Sequence, residues 1–370
     1  MIDSRSVLII NMGSSSLKWT MLDASSEAIQ SQGDAHWQSA EGARRTDELQ
    51  AALEQVRGIS AVGHRVVHGG LSFREAVLVN DEVKRDIEGL TELAPLHNPA
   101  ALAGIEAATQ RFPDVPQVAA FDTSFHRDMQ DSVALYPVPW DWTSRWQLRR
   151  FGFHGLSVSY AVERTRAILG GLPERLVVCH LGAGCSVSAV ERGRSIDTSM
   201  GFTPLEGVMM VQRSGSVDPG MLFYLLQRAG IPVAELDRAL NEESGLLGVS
   251  GVSANMREVL TAASAGNSRA QLAYDMFVHR LVTCIGGMVA ALNGVDAIVF
   301  TGGIGERSAE IRASACASFG YLSLRLDERA NAAGPVDADI ATPNSAVRVL
   351  VIAAREDLAV LRQVKRVLGW

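Results

Sequence analysis

Between Leu176 and Val187 the chain reads LVVCHLGAGCSV, an apolar run that stops at Gly182, Ala183 and Gly184 and resumes as a second half-apolar run. The pattern predicts a strand, a tight turn and a strand. With no bulky side chain in the turn, backbone N–H groups can approach an anion, and glycine tolerates the positive φ that such a cradle needs. His180 stands at its entrance, Cys185 and Ser186 at its exit. Taken alone, the segment also has the pattern of an ordinary hairpin between two strands. Val7 to Lys18, VLIINMGSSSLK, repeats the figure: Asn11 falls on His180, Gly13 on Gly182, and Ser14, Ser15 and Ser16 on Ala183, Gly184 and Cys185. Internal duplication is the simplest account. Two such loops, one per half, suit a phosphate chain clamped in a cleft, and Lys18 supplies the point charge that phosphates favour.

Other residues of chemical interest are spread along the chain. Arg65 lies in a strand predicted over Ile59–Val67, just before His68, Gly69 and Gly70. Because an isolated buried charge is very costly, it must be paired, either with a core carboxylate or with a carboxylate or phosphate ligand. Asp122 falls near the C-terminal end of a strand predicted within Val115–Phe125, the end at which open α/β sheets meet ligands; it is either a helix N-cap or a catalytic carboxylate. His154 sits in the glycine-flanked turn RRFGFHG, suited to placing it in a cleft. The tryptophan-rich stretch Trp140–Trp146 is either a partner surface or packing between domains. Ser199–Gly207, followed by Arg213 and Asp218, is long and aperiodic, the mark of a functional loop. Ala297–Arg307, AIVFTGGIGER, gives a third glycine turn after an apolar strand, with a helix expected from near Ser308, the context of a nucleotide-binding loop.

The elements that must position these groups follow from periodicity and breakers. Helices are predicted over Thr46–Arg57, Pro99–Gln110 (after Leu96, His97 and Asn98), Pro219–Ala239, Ser268–Asn293 with an interruption at Gly286 and Gly287, and Leu358–Leu368; a last strand covers Val347–Ile352. The 370 residues are enough for two domains with separate cores. A 47% hydrophobic and 20% charged composition is that of a soluble globular chain, and the net charge of −7 argues against a nucleic-acid partner. The absence of an apolar stretch near 18 residues predicts no membrane span, and the N-terminal residues lack a leader pattern. The four cysteines lie in apolar segments without CxxC pairing, which points to reduced thiols in a cytoplasm.

Ten collinear segments together resemble the acetokinase family, itself similar to the sugar-kinase, actin and heat-shock ATPase superfamily. They are NMGSSSLK, GHRVVHGG, LHNPA, FDTSFH, RRFGFHG, HLGAGCS, DTSMGFTPLEG, SGLLGVSG, FTGGIGE and VIAAREDL, and they span the chain. The resemblance implies an α/β fold of two duplicated ribonuclease-H-like, actin-like ATPase domains that close around a nucleotide cleft. Residues 1–125 with 356–370 would form the acyl and phosphate side, and residues 126–355 the nucleotide-binding side. It implies acetate kinase activity, ATP and acetate as substrates, acetyl phosphate and ADP as products, magnesium or manganese as metal, and a homodimer. A propionate or butyrate kinase is the nearest alternative, with Val66 and Pro204 as candidates for the acyl pocket; a nucleotide-binding homologue without transfer chemistry is the other.

By the same resemblance, Asn11 and Glu356 would hold the metal, directly or through water. Arg65 would grip the acetate carboxylate. Asp122 would organise metal, water or Arg213, while His154 and Arg213 would stabilise charge on the phosphoryl group in flight. Lys18 and the loop His180, Leu181, Gly182, Ala183 and Gly184 would carry ATP phosphates. Asn255, Met256 and Arg257, with Gly303, Ile304, Gly305, Glu306 and Arg307, would hold the adenosine end. The chain departs from the family's usual pattern at Ala183, Asn255 and Arg307, beside the expected nucleotide, and at Val158.

Overall fold

The computed structural model describes residues 5–13, 16–36, 49, 51, 53–54, 56–95 and 97–370. Met1–Arg127, Phe153–Tyr160 and Arg355–Trp370 form one compact unit, and Asp128–Gly152 with Ala161–Ala354 a second. Each is built on a six-stranded sheet. The first sheet runs β3 (Ile29–His36), β2 (Ser16–Asp23), β1 (Ser6–Met12), β4 (Ile59–Val66), β6 (Gln117–Phe121), β5 (Val77–Leu78). The second runs β9 (Arg194–Thr198), β8 (Cys185–Glu191), β7 (Arg175–Leu181), β10 (Ala297–Thr301), β12 (Arg348–Val351), β11 (Ala338–Asp339).

The two orders are the same order. In each, an antiparallel meander of three strands is joined, through its first strand, to a parallel pair that ends in an antiparallel edge strand. The duplication read from two short glycine motifs therefore extends to every strand. Both glycine motifs lie where one strand passes to its antiparallel neighbour, β1 to β2 and β7 to β8. Asn11 is opposite Lys18, and His180 is opposite Ser186.

The central strands are apolar because both faces are covered. Val7–Ile10, all of β6, Leu176–Leu181 and all of β10 are buried. In the first unit the helix Asn98–Arg111 lays Ala100, Gly104, Ala107 and Ala108 on the sheet, and the C-terminal helix Glu356–Leu368 crosses β4 at Gly63. A Cβ there would lie 2.7 Å from Val360 Cγ1 and 2.9 Å from Val364 Cγ2. This close approach sets Glu356 beside the ends of the parallel strands.

Four expectations are corrected. Pro219–Ala239 is two helices, Pro219–Gln227 and Val233–Glu242, separated where Gly230 takes φ 71° and Pro232 offers no N–H. Ser268–Ala291 runs unbroken through Gly286 and Gly287; Leu281, Ile285, Met288 and Val289 are buried on either side, and that packing outweighs the poor helix propensity of glycine. The same helix is long and apolar enough to cross a membrane by length and composition, against the sequence expectation, but it packs on β7, β8 and β9. The glycines after β10 are themselves helical, Gly302–Arg307, before Ser308 caps a further helix, Ala309–Ala317. Of the helix predicted over 46–57, positions 49, 51, 53 and 54 are helical and 46–48, 50, 52 and 55 lie outside the described residues, as do Ser14, Ser15 and Leu96.

His64, on the face of β4 opposite Arg65, donates from Nε2 to Gln117 Oε1 at 2.7 Å, and burial pushes its pKa down to about 4. The unfolded imidazole titrates near 6.5, so the folded state binds fewer protons between the two values. The stabilisation it provides is complete above pH 6.5 and is lost as pH falls towards 4, up to about 3 kcal/mol. His64→Asn should flatten that part of a stability-against-pH curve measured by urea unfolding; an unchanged slope would contradict the assignment.

Candidate active site

β1, β4 and β6 are adjacent and parallel, so their C-terminal ends share one edge of the sheet. That edge collects Asn11, Arg65 and Asp122, and the start of the C-terminal helix adds Glu356. Arg65 is the centre. Its Nε lies 3.2 and 3.1 Å from the two Asp122 carboxylate oxygens, and its Nη2 lies 2.6 Å from Oδ2. Nη1 donates to Asn11 Oδ1 at 3.2 Å, and Glu356 Oε2 stands 3.4 Å from Nε. Asp122 is 1% exposed, whereas Arg65 and Glu356 keep 18% and 20% of their side-chain surface open. A buried carboxylate thus orients a guanidinium that still reaches solvent. Of the two sequence readings of Arg65, the core carboxylate partner is present, and an open side remains.

Charge at this edge is unbalanced. Burial and the facing Glu356 push the Asp122 carboxyl up, Arg65 pulls it down, and it settles at about 6. Burial also works against the Arg65 charge, but Asp122 and Glu356 outweigh it and raise its pKa. Two carboxylates share one cation. Asp122 is no helix cap, since its side chain is taken by Arg65.

His154 is tied to the same edge through the backbone. The N–H of Gly155 donates to Asp122 O at 2.9 Å, His126 Nε2 meets Phe153 O at 3.0 Å, and the His68 ring sits edge-on to Phe153. His154 itself has φ 57°, left-handed backbone that a non-glycine residue adopts only when its surroundings impose it. A Cβ on Gly155 would collide with the Asp122 carbonyl and the Phe125 side chain. Gly155→Ala should therefore lower stability by about 2–3 kcal/mol, read as a lower urea midpoint; a wild-type midpoint would mean that the two segments part freely. Sequence reasoning missed the supports behind this edge. Asn98 exchanges hydrogen bonds with the backbone of His68, at 3.1 and 3.0 Å, and Thr123 Oγ1 accepts from Gly69 N at 3.0 Å. An asparagine directly before Pro99, at the start of an alanine-rich helix, was the available signal for Asn98.

The second unit carries the other group. The β7–β8 turn closes through Gly182 N to Gly184 O at 2.9 Å, with His180 buried beside it. Gly302, at φ 78°, presses on this turn's first strand: a Cβ would lie 2.9 Å from the Leu181 backbone. The loop His180–Gly184 and the helical turn Gly302–Arg307 are thus neighbours. Arg213 is half-buried, with Nη1 3.5 Å from Pro204 O. Its charge is felt at Cys185, where it opposes the burial that pushes the thiol up to about 12. Burial lowers the Arg213 pKa, and among the described residues it makes no ion pair.

A model of the acetokinase family matches residues 43–362. The chain belongs to the acetokinase family. It is 54% identical over 318 residues to an acetate kinase of Nostoc punctiforme, covering 85% of this chain and 78% of that protein. An acetate kinase of a Synechococcus strain is also 54% identical over 310 residues, 83% and 76% of the two chains. Among solved structures, Porphyromonas gingivalis acetate kinase superposes with a TM-score of 0.90 at 34% identity, over 99% of this chain and 100% of that one. A propionate kinase from Francisella tularensis gives 0.89 at 36%, over 97% and 98%. The fold of duplicated actin-like ATPase domains is that of the family.

Within the acetokinase frame the remaining expected residues divide. Lys18 is exposed on β2. Leu181 and Met256 have buried side chains, so only their backbones are available to a ligand. Asn255 Oδ1 caps the helix Met256–Ser264, accepting from Arg257 N at 3.0 Å, and lines an open groove of about 580 Å³ with Arg257, Glu258, Thr261, Ala262 and Ala265. None of these lining residues comes from Gly303–Arg307. Glu306 is engaged structurally, accepting from Ala354 N at 2.9 Å, and Arg307 lays its guanidinium against Gly303. Sequence reading also missed Arg312. This fully buried guanidinium donates to Gly305 O at 2.9 Å, Glu306 O at 2.8 Å and Asn331, and so fixes the glycine turn from behind. Val66 is packed in the core with Phe73 and Phe121 and offers no acyl pocket. The three tryptophans of the helix Trp140–Trp146 are 49–70% exposed rather than packed.

Proposed function

We propose that the chain is an acetate kinase, transferring the γ-phosphoryl group of ATP reversibly to acetate to give acetyl phosphate and ADP. The carrying observation is Arg65, held by a buried carboxylate at the sheet edge where ligands are met, with its open side available for a bidentate grip on a second carboxylate. Acetate at neutral pH has no proton to lose, so no general base is required. One acetate oxygen attacks the γ-phosphorus as the bond to the β-bridging oxygen breaks, and ADP leaves with that electron pair. What must be overcome is repulsion between two anions, and catalysis is positioning and charge. Arg65 orients the acceptor, Asp122 orients Arg65, and His154 and Arg213 meet charge on the phosphoryl group. The turns at His180–Gly184 and Gly303–Arg307 supply backbone N–H groups and close approach for the nucleotide.

Asn11 Oδ1 and the Glu356 carboxylate fit Mg²⁺, or Mn²⁺: they are hard oxygens at an edge with more negative than positive charge. Among the described residues no three His, Cys, Asp or Glu side chains form a closed metal site, and magnesium shared with substrate phosphates needs only one or two carboxylates. When bound, the ion offsets charge on the phosphates. The four free thiols suit the cytoplasm, and we take the working form to be a homodimer.

The test is the initial rate of ADP formation with ATP and Mg²⁺ and with acetate, propionate, butyrate or no acid, the acyl phosphate being trapped as hydroxamate. Acetate-dependent turnover above that with propionate is expected. A larger propionate rate would make the chain a propionate kinase, the alternative favoured by its likeness to the Francisella protein. Acid-independent ADP release would sink both readings.

A further inference from the structure

Ser199–Gly207 contains no helix or strand, yet its backbone is held along its length. One guanidinium does most of this. Arg150 Nη1 donates to the carbonyls of Thr198, Ser199 and Met200 at 2.9, 3.2 and 3.1 Å, and Nη2 donates to Glu206 Oε1 at 2.7 Å. Tyr136 closes the ring: its hydroxyl donates to Glu206 Oε2 and accepts from Phe202 N at 2.8 Å. The two ends of the loop thus share one ion pair, with 16% of the Arg150 and 32% of the Glu206 side-chain surface open. Burial and the Glu206 carboxylate push the Tyr136 phenol above its ordinary range, so it stays a donor. The ring passes directly over Gly201, where a Cβ would collide with Glu206 Oε2 and the Tyr136 hydroxyl.

The residue after Glu206 opens the segment that carries Arg213. Gly207 N donates to Ser216 Oγ at 3.0 Å and Ser216 N to Gly207 O at 2.9 Å, so 207–216 is a loop closed at its neck. Inside it, Met210 N donates to Arg213 O at 3.1 Å. The neck rests on the clamped segment. Gly207, at φ 112°, would bring a Cβ within 2.7 Å of Ser199 O, a carbonyl that Arg150 also holds. Gly215, at φ 70°, presses as closely on Gly207 O. Pro204, between the two clamped ends, places its carbonyl 3.5 Å from Arg213 Nη1. Movement of the loop therefore moves both the backbone and the guanidinium of Arg213.

We propose that Glu206 is a positioning residue for phosphoryl transfer: with Arg150 and Tyr136 it locks the Ser199–Gly207 loop, and the locked loop aims the Arg213 guanidinium at the phosphoryl group. A guanidinium on a loose segment gives up conformational freedom each time it meets an anion. Ordering it in the free protein takes that cost out of the transition state. An ion pair suits this task because charge-assisted hydrogen bonds are directional, and each Glu206 oxygen accepts from a different donor, which fixes the carboxylate plane. The charges of Arg150 and Glu206 also cancel, so the clamp does not compete with Arg213 for the phosphate.

The role given to Arg213 rests on the acetate kinase reading, and the test separates the two. Glu206→Gln keeps the size of the side chain and removes the charge that orders Arg150; Tyr136→Phe removes one donor and leaves the ion pair. With circular dichroism unchanged, kcat should fall about 10- to 100-fold in Glu206→Gln and less in Tyr136→Phe, while KM for acetate, set at Arg65, changes little. The comparison that decides is Arg213→Ala with and without Glu206→Gln, because an effect acting through Arg213 disappears once Arg213 is gone. Equal fold-losses in the two backgrounds, a wild-type kcat in Glu206→Gln, or a loss confined to KM for acetate would each overturn the proposal. Should Glu206→Gln lose the native fold, Tyr136→Phe goes through the same cycle. Thermal stabilisation by ATP repeats the cycle without turnover: Glu206→Gln should lower it in the wild-type background and leave it unchanged in Arg213→Ala. A chain that ATP stabilises but that does not phosphorylate acetate would overturn the acetate kinase reading and leave the stabilisation cycle to decide this one. A wild-type chain that ATP does not stabilise would overturn both.

Discussion

Arg65→Ala is expected to reduce kcat/KM for acetate by about 10³-fold or more and to destabilise the first unit by about 3–5 kcal/mol. Both effects have one origin. Arg65 is the counter-charge of Asp122, which is 1% exposed, and it also faces Glu356. Truncation leaves a buried carboxylate without its partner beside a second carboxylate, and the Asp122 carboxyl, already up at about 6, rises further until it is protonated at neutral pH. Arg65→Lys keeps the charge but loses the planar fork, so it should recover most of the stability and only part of the acetate binding. The decisive variant is Arg65→Ala combined with Asp122→Asn. Removing the orphaned charge should restore stability without restoring turnover, because the acceptor's anchor is still missing. If the double variant regained acetate turnover, or if Arg65→Ala kept the wild-type KM for acetate, Arg65 would be a structural ion pair only.

What was legible in the sequence was whatever a short motif can encode. Two glycine turns after apolar strands were enough to read the duplication, because a hairpin turn is a local event, and the match extends to twelve strands in two identical orders. Arg65 and Asp122 could be singled out one at a time, as a charge in an apolar strand and a carboxylate at a strand end. Their pairing could not, because it depends on β4 and β6 being neighbours, 57 residues apart in sequence. Asn98, Thr123 and Arg312 were missed for the same reason: each hydrogen-bonds to backbone whose position only the assembled sheet defines. Pro219–Ala239 was misjudged in the other direction. Its pattern promises one continuous amphipathic helix with an apolar face on the core, yet Gly230 and Pro232 divide it and the first half has no buried residue.

Arg213→Ala should show the opposite pattern to Arg65→Ala: a loss of about 10³-fold or more in kcat with stability unchanged or slightly raised. Arg213 is half-buried, donates from its guanidinium to Pro204 O at 3.5 Å, and has no carboxylate partner among the described residues. Burial works against its charge in the free protein, so folding holds a cation whose counter-ion is absent. Deleting it removes that cost. The counter-ion arrives with the substrate, since the guanidinium lies near the exit of the β7–β8 turn, where its charge is felt by Cys185. Anion binding should accordingly stabilise the wild-type protein more than the variant, because a ligand that binds only the folded state raises its stability by mass action. Thermal unfolding with and without ATP reads this directly. Equal stabilisation of the two proteins by ATP, or a large loss of stability in Arg213→Ala without ligand, would mean that Arg213 holds the loop together rather than the phosphoryl group in flight.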